Sequence, residues 1–189
     1  MRRPSAPLTL AAPLIAGLAV ALTALPVYGA LPDGAKAPDF STVASMAGKE
    51  FKFSLASALR KGPVVLYFYP AAFTPGCNIE AHKFAEASDQ FKALGATVVG
   101  VSHDPIAKLD EFSVQKCENK FPVASDADGG IMKAYDSVLP DHPEYANRTS
   151  YVIAPTGEII YSYTAMKPDQ HVENTMAAVK KWKEQHRKT

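Results

Sequence analysis

Cysteine is the most readily activated nucleophile among the side chains, and this sequence of 189 residues holds only two, Cys77 and Cys117. Cys77 follows Thr74-Pro75-Gly76 and precedes Asn78-Ile79-Glu80. Thr74 suits a helix N-cap and Pro75 a first helical position, which puts Cys77 in a first turn. Unpaired backbone N–H groups and the positive end of the helix dipole meet there, and both favour a thiolate. The thiolate is the form of cysteine that reacts with peroxides. Thr74 offers a hydroxyl three residues earlier. Glu80 offers a carboxylate one turn later, close enough to orient a partner. Cys-x-x-Cys is absent, which argues against a dithiol reductase or disulfide isomerase and leaves no familiar zinc pattern. Read alone, a cysteine at a helix start is also compatible with a small buried hydrophobe.

The elements around Cys77 are those that would hold a nucleophile rigidly. Val64–Tyr69 is a continuous apolar run of the kind that forms a central strand buried on both faces, and Pro70 stops it. Phe84, Ala87, Phe91 and Leu94 then recur at helical spacing down to Gly95. Thr97–Ser102 reads as a second strand, and Asp104-Pro105 as the start of a second helix with Ile106 and Leu109 inward. Cys117 falls near the end of that expected helix, on the side of Ile106 and so facing inward. Phe121–Ala124 reads as a short strand, Asp128–Tyr135 as a short helix, and Asp136–Arg148, with Pro140 and Pro143, as a loop. Thr149–Ala154 and Glu158–Tyr163 form a hairpin across Pro155-Thr156-Gly157, and Val172, Met176, Val179 and Trp182 mark a last amphipathic helix. Upstream, Phe40–Leu55 breaks at Gly48 as a small hairpin would. This order of elements describes an α/β layered domain with a mixed sheet.

Composition narrows the class further. Apolar residues make up 47% of the chain, which suits a globular core, and the formal charge of +1 gives no reason to expect nucleic-acid binding. Arg2-Arg3, the apolar run Leu8–Val27 and the small residues near Gly29 have the layout of a secretory leader, cleaved near Gly29 or Ala30. This divides the chain into a leader, residues 1–29, and a domain, residues 30–189, and points to an exported, periplasmic protein. An uncleaved membrane anchor is the alternative, which Pro13 and Pro26 weaken. Without the leader and its two arginines, acidic residues outnumber basic ones by one.

The string Tyr69-Pro70-Ala71-Ala72-Phe73-Thr74-Pro75-Gly76-Cys77-Asn78-Ile79-Glu80 closely resembles the peroxiredoxin active-site motif, Pro-x-x-x-Thr-x-x-Cys with a glutamate three residues on. Thr-Pro-Gly-Cys, the later Phe121-Pro122 and Ser125-Asp126, and the short length resemble the Q-type, or bacterioferritin-comigratory, branch. The likeness covers about Ala37 to Trp182. It implies a thioredoxin-like fold with an N-terminal hairpin, and a peroxidase acting on hydrogen peroxide and organic hydroperoxides. By the same likeness Cys77 is the peroxidatic cysteine, Thr74 the hydroxyl beside the peroxide, and Pro70 the shield against bulk water. Arg148, in Arg148-Thr149-Ser150-Tyr151, is the arginine that stabilises the thiolate and polarises the peroxide; its bland alternative is a surface charge. Glu80 is the carboxylate that holds that arginine.

Many Q-type members carry a resolving cysteine five residues after the first, where this chain has His82, expected to be an exposed helix residue. Other members carry it on the helix after the next strand, which makes Cys117 the candidate for resolution. The alternative is Cys117 as an inert buried thiol in a one-cysteine cycle closed by an external thiol. The resemblance also implies a thioredoxin-like or other thiol reductant as partner, a monomer, and no metal, flavin or haem cofactor. His103 and His142 are isolated, and the basic run Lys180, Lys181, Lys183, Arg187 and Lys188 reads as a solvated helix end. Two rival functions use the same residues: a thiol–disulfide carrier without peroxide chemistry, and a binding domain stapled permanently by Cys77 and Cys117.

Overall fold

The computed structural model describes residues 29–187, so the expected leader lies outside them but for Gly29. A hairpin comes first, β1 (Ser41–Met46) and β2 (Lys49–Ser54). It turns through Ala47 and Gly48, both at positive φ, the backbone that suits a tight two-residue connection. There follow α1 (Leu55–Leu59), β3 (Val64–Phe68), α2 (Pro75–Ala93), β4 (Thr97–Ser102), α3 (Ile106–Gln115), β5 (Val123–Ser125) and α4 (Gly130–Ala134). The chain closes with β6 (Val138–Leu139), β7 (His142–Ala146), β8 (Thr149–Ile153), β9 (Ile159–Thr164) and α5 (His171–His186).

The main sheet has seven strands in the order β2-β1-β5-β4-β3-β8-β9. β3, β4 and β5 run parallel, and the pairs β3–β8, β8–β9, β1–β5 and β1–β2 are antiparallel. The mixed sheet expected from the pattern of elements is therefore present. Alternation along β3 makes the layers. Val65, Tyr67 and Tyr69 enter one core with Phe84 and Phe91 of α2, Leu109 and Phe112 of α3, and Met176 and Val179 of α5. Val64, Leu66 and Phe68 enter the other with Leu55 and Leu59 of α1 and Met132 of α4. The result is a thioredoxin-like sandwich of helices on both faces of the sheet. Gly100 of β4 pairs with Tyr67, and a Cβ there would lie 2.7 Å from the tyrosine ring, so the missing side chain makes room for it.

Two expectations need correction, and one element was missed. Residues 136–148 are not a plain loop: β6 and β7 pair as a small antiparallel ribbon, Val138 with Ala146 and Leu139 with His142. A two-stranded ribbon leaves backbone groups unpaired on its outer edges, so prolines can be accommodated beside it. Cys117 is not on a helix. α3 ends at Gln115 with Lys116 as its C-cap, and Glu118 and Asn119 then take left-handed backbone, φ 52° and 60°. Cys117 is nonetheless fully buried. The five-residue α1 was not anticipated, because it is too short to show a helical period. Its signal is local: the Ser54 side chain accepts from the Ser57 backbone N–H.

Candidate active site

Cys77 lies at the carboxyl ends of the parallel strands, where α/β sheets bind their ligands. It is the third residue of α2, with Pro75 first, and the first helical hydrogen bond runs from Asn78 N to Thr74 O. The N–H groups ahead of Asn78 thus have no helical carbonyl to bond. Cys77 is 1% exposed, so its sulfur meets only what the site admits.

Arg148 joins Cys77 from a neighbouring strand. It directly precedes β8, the antiparallel neighbour of β3. Its Nη2 donates to Cys77 Sγ at 3.3 Å, its Nη1 donates to Glu80 Oε2, and its Nε donates to the Met166 carbonyl at 3.0 Å. Met166 and Glu80 thus fix two of its nitrogens, and the third is directed at the sulfur, where its charge supports a thiolate. Burial works against the charge on Arg148, but Glu80 and Cys77 outweigh it and raise its pKa. Gly76 permits the approach: a Cβ there would stand 3.1 Å from Nη2.

Thr74 takes the N-cap position without capping. Its hydroxyl donates instead to the Ala71 carbonyl at 3.0 Å, which leaves the oxygen's lone pairs to accept from elsewhere. The loop from half-buried Pro70 to Thr74 is bent at Phe73, φ 67°, a backbone costly for an aromatic residue. Buried Asp104 holds it, accepting from Ala72 N at 2.7 Å, from Ser102 Oγ at 2.8 Å, and from Lys108 Nζ at 2.7 Å. The sequence offers Asp104 only as a helix start. Its place just past the end of β4, beside the end of β3, is the signal that was there to read.

One further buried group escaped the sequence reading. His171, the first residue of α5, bonds Ser150 of β8 through Nδ1 at 2.8 Å and the Ala165 carbonyl through Nε2 at 2.9 Å. Its Nδ1 also lies 3.7 Å from Glu80 Oε1. Burial pushes the Glu80 carboxyl up to about 7 against the pull of Arg148. Burial likewise pushes the His171 imidazole down to about 4.

These two shifts have opposite effects on stability. Glu80 contributes stability that is full below its ordinary 4.5 and is lost as the pH rises through about 7. His171 contributes stability that is full above its ordinary 6.5 and is lost as the pH falls through about 4. Glu80→Gln removes the first of these alone. Its unfolding free energy, subtracted from that of the unsubstituted protein, is expected to change by on the order of 3 kcal/mol between about pH 4.5 and pH 7. The unsubstituted protein loses ground as the pH rises. Chemical denaturation across that range checks this, and a constant difference would mean that Glu80 titrates like a surface carboxylate.

Cys117 is a free thiol, like Cys77, and both pack in the core that contains Tyr67 and Tyr69. Burial first, and the Glu118 carboxylate second, push the Cys117 thiol well above its ordinary range. His82 is exposed, as expected, and bridges α2 to Glu118 at 2.6 Å. His103 bonds the Asp126 carbonyl, and His142 lies exposed on β7. No cluster of three or more potential metal-binding side chains occurs among the described residues.

Comparison with known proteins agrees with this geometry. The AhpC/TSA family profile matches residues 34–162. The chain belongs to the AhpC/TSA family. Peroxiredoxin Q of rice chloroplasts (Oryza sativa subsp. japonica) is 32% identical over 151 residues, covering 79% of this chain and 67% of that one. Peroxiredoxin Bcp of Xanthomonas campestris is 30% identical over 123 residues, covering 62% and 76%. The crystal structure of peroxidoxin BcpB from Mycobacterium tuberculosis superposes with a TM-score of 0.71 at 29% identity, covering 79% of this chain and 96% of that one. The chain is thus a peroxiredoxin of the Q/Bcp type, a thiol-dependent peroxidase. In this peroxiredoxin the structure brings Cys77, Arg148 and Glu80 into direct contact. It leaves Pro70 and Thr74 on the adjoining loop, and Cys117 elsewhere in the same core.

Proposed function

We propose that Cys77 is the peroxidatic nucleophile and that Arg148, Thr74, Pro70 and Glu80 serve it. The observation that carries this reading is the Arg148 guanidinium hydrogen-bonded to Cys77 Sγ at the start of α2. The Cys77 thiolate attacks one oxygen of a hydroperoxide. An S–O bond forms, the O–O bond breaks, and the departing oxygen leaves as hydroxide or alkoxide and takes up a proton. Sulfur is oxidised to sulfenic acid and the peroxide is reduced to water or alcohol. Preorganised donors stabilise the charge that builds on the departing oxygen, and the Arg148 guanidinium is placed for that. The Thr74 oxygen accepts from the peroxide O–H, its own proton being given to Ala71. Glu80 fixes Arg148, and Pro70 limits water.

Cys117 closes the cycle in this reading. Its thiol attacks the sulfenic sulfur, an S–S bond forms, and water leaves; an external dithiol then reduces the disulfide. The electrons come from that reductant, so the cycle uses no resident metal, flavin or haem. The residues of the leader send the protein out of the cytoplasm, where it works as a monomer. For resolution, the expected result with Cys117→Ser is a normal first turnover with hydrogen peroxide, no recycling by a dithiol protein, and Cys77 advancing to sulfinic acid. Mass spectrometry of the oxidised protein with blocked thiols reads both species. Normal recycling by Cys117→Ser, together with no Cys77–Cys117 peptide in a non-reducing digest of the parent protein, would remove Cys117 from the cycle.

A further inference from the structure

Arg148 is aimed by two acceptors, the Glu80 carboxylate and the Met166 carbonyl. The Met166 carbonyl belongs to the connection between β9 and α5. That connection meets Arg148 twice, since the Ala165 N–H donates to the Arg148 carbonyl at 3.2 Å while Met166 accepts from Nε. Met166 is half exposed, so packing on its outer side does little to hold this turn.

What holds it from within is His171. A carbonyl only accepts, so Nε2 carries the proton that goes to Ala165 O, and Nδ1 is left as an acceptor for the Ser150 hydroxyl. The ring is completely buried and braced edge-on by Tyr163 at 4.8 Å between centroids. It therefore ties the turn to β8 in the fixed tautomer. The same Nδ1 faces Glu80 Oε1, an oxygen that is buried without a hydrogen-bond partner among the described residues. Oε2 is the oxygen engaged by Arg148. One ring thus ties down the turn that carries the Met166 carbonyl and lies beside the Glu80 carboxylate.

We propose that His171 is a positioning residue of the peroxidase site, holding the turn that carries the Met166 carbonyl so that Arg148 points at Cys77 Sγ. The proposal rests on the reading of Cys77 and Arg148 given above and adds a residue to it. His171 touches neither sulfur nor peroxide and acts only through Arg148. Misplacing the guanidinium therefore slows peroxide attack more than it slows reactions that do not use an oriented donor on oxygen.

The test compares two reactions of Cys77 in the full-length reduced protein: oxidation by hydrogen peroxide, followed by quenched flow, and alkylation by iodoacetamide. His171→Leu is expected to slow peroxide attack by at least about tenfold and alkylation far less. His171→Gln, whose amide can both donate to Ala165 O and accept from Ser150, is expected to recover most of the peroxide rate. Should His171→Leu not fold, Ser150→Ala, which removes one tie to the ring, decides the matter through a several-fold loss in the peroxide reaction. Wild-type peroxide rates in the folded variant, equal losses in both reactions, or a His171→Gln protein as slow as His171→Leu would overturn the proposal. Arg148→Met run alongside separates the two levels. If that variant is also fast, the reading of the site fails; if it is slow while His171→Leu is fast, only the role of His171 fails.

Discussion

Cys77→Ser leaves a folded protein with no measurable reduction of hydrogen peroxide. A serine hydroxyl is not appreciably ionised near neutrality and is a poor nucleophile without an adjacent base, and the described site places a guanidinium, not a base, against the reacting atom. The substitution is nearly isosteric in a position that is 1% exposed, and the new oxygen can accept from Arg148 Nη2. Folding should therefore survive with only a small change in melting temperature. Cys117 cannot take over the attack on peroxide, because burial pushes its thiol well above the ordinary range and the Arg148 guanidinium is engaged at position 77. Peroxide consumption with a dithiol donor, together with circular dichroism, measures both halves of this expectation. Near-full activity in the folded variant would sink the mechanism.

Arg148→Met is expected to slow the attack on peroxide by one order of magnitude or more. Loss of one preorganised donor to a developing oxyanion typically costs ~3 kcal/mol of barrier, or about a hundredfold in rate. Stability falls as well, since the substitution strands the carboxyl of Glu80, which has no exposed surface, without its ion-pair partner. That loss is limited because Glu80, already pushed up to about 7, can take a proton. The paired variant Arg148→Met with Glu80→Gln separates the two effects. Its stability should return toward that of the parent while the peroxide rate stays low. Stopped-flow rates equal to those of the parent protein would reduce Arg148 to a structural charge.

The parts of this site that could be read in the sequence were those set by local rules. Pro75 at a helix start, the run Val64–Tyr69 and the string around Cys77 all lie between Val64 and Glu80, a short stretch where capping and periodicity operate. Arg148 was reached through the peroxiredoxin likeness, and its contact with Glu80 joins α2 to the residue before β8, 68 positions on. His171 and Asp104 were not reached. A histidine opening an amphipathic helix looks the same whether it faces water or a buried carboxylate, and only the packing of α5 against α2 and β8 decides which. The loop assigned to residues 136–148 failed for a related reason. Pro140 and Pro143 signal irregular backbone, yet a ribbon as short as β6–β7 can keep prolines where no ladder bond is needed. Cys117 was placed on a helix because Ile106–Gln115 continues smoothly toward it. The two left-handed residues that follow it, Glu118 and Asn119, carry no glycine to announce the turn.

The contacts that make the site span long stretches of chain. Cys77 and Arg148 are 71 positions apart, Glu80 and Arg148 are 68, and Ala72 and Asp104 are 32. Closing such loops costs entropy before any contact offsets it, so long-range contacts of this kind form late and together. A nascent chain that has not yet supplied Ala165–His171 has its nucleophile but lacks part of the scaffold that aims the guanidinium. Full activity should therefore return only at the end of refolding, with the docking of α5. Peroxide turnover would then serve as a kinetic reporter of that docking step, because the guanidinium is present earlier but not yet aimed.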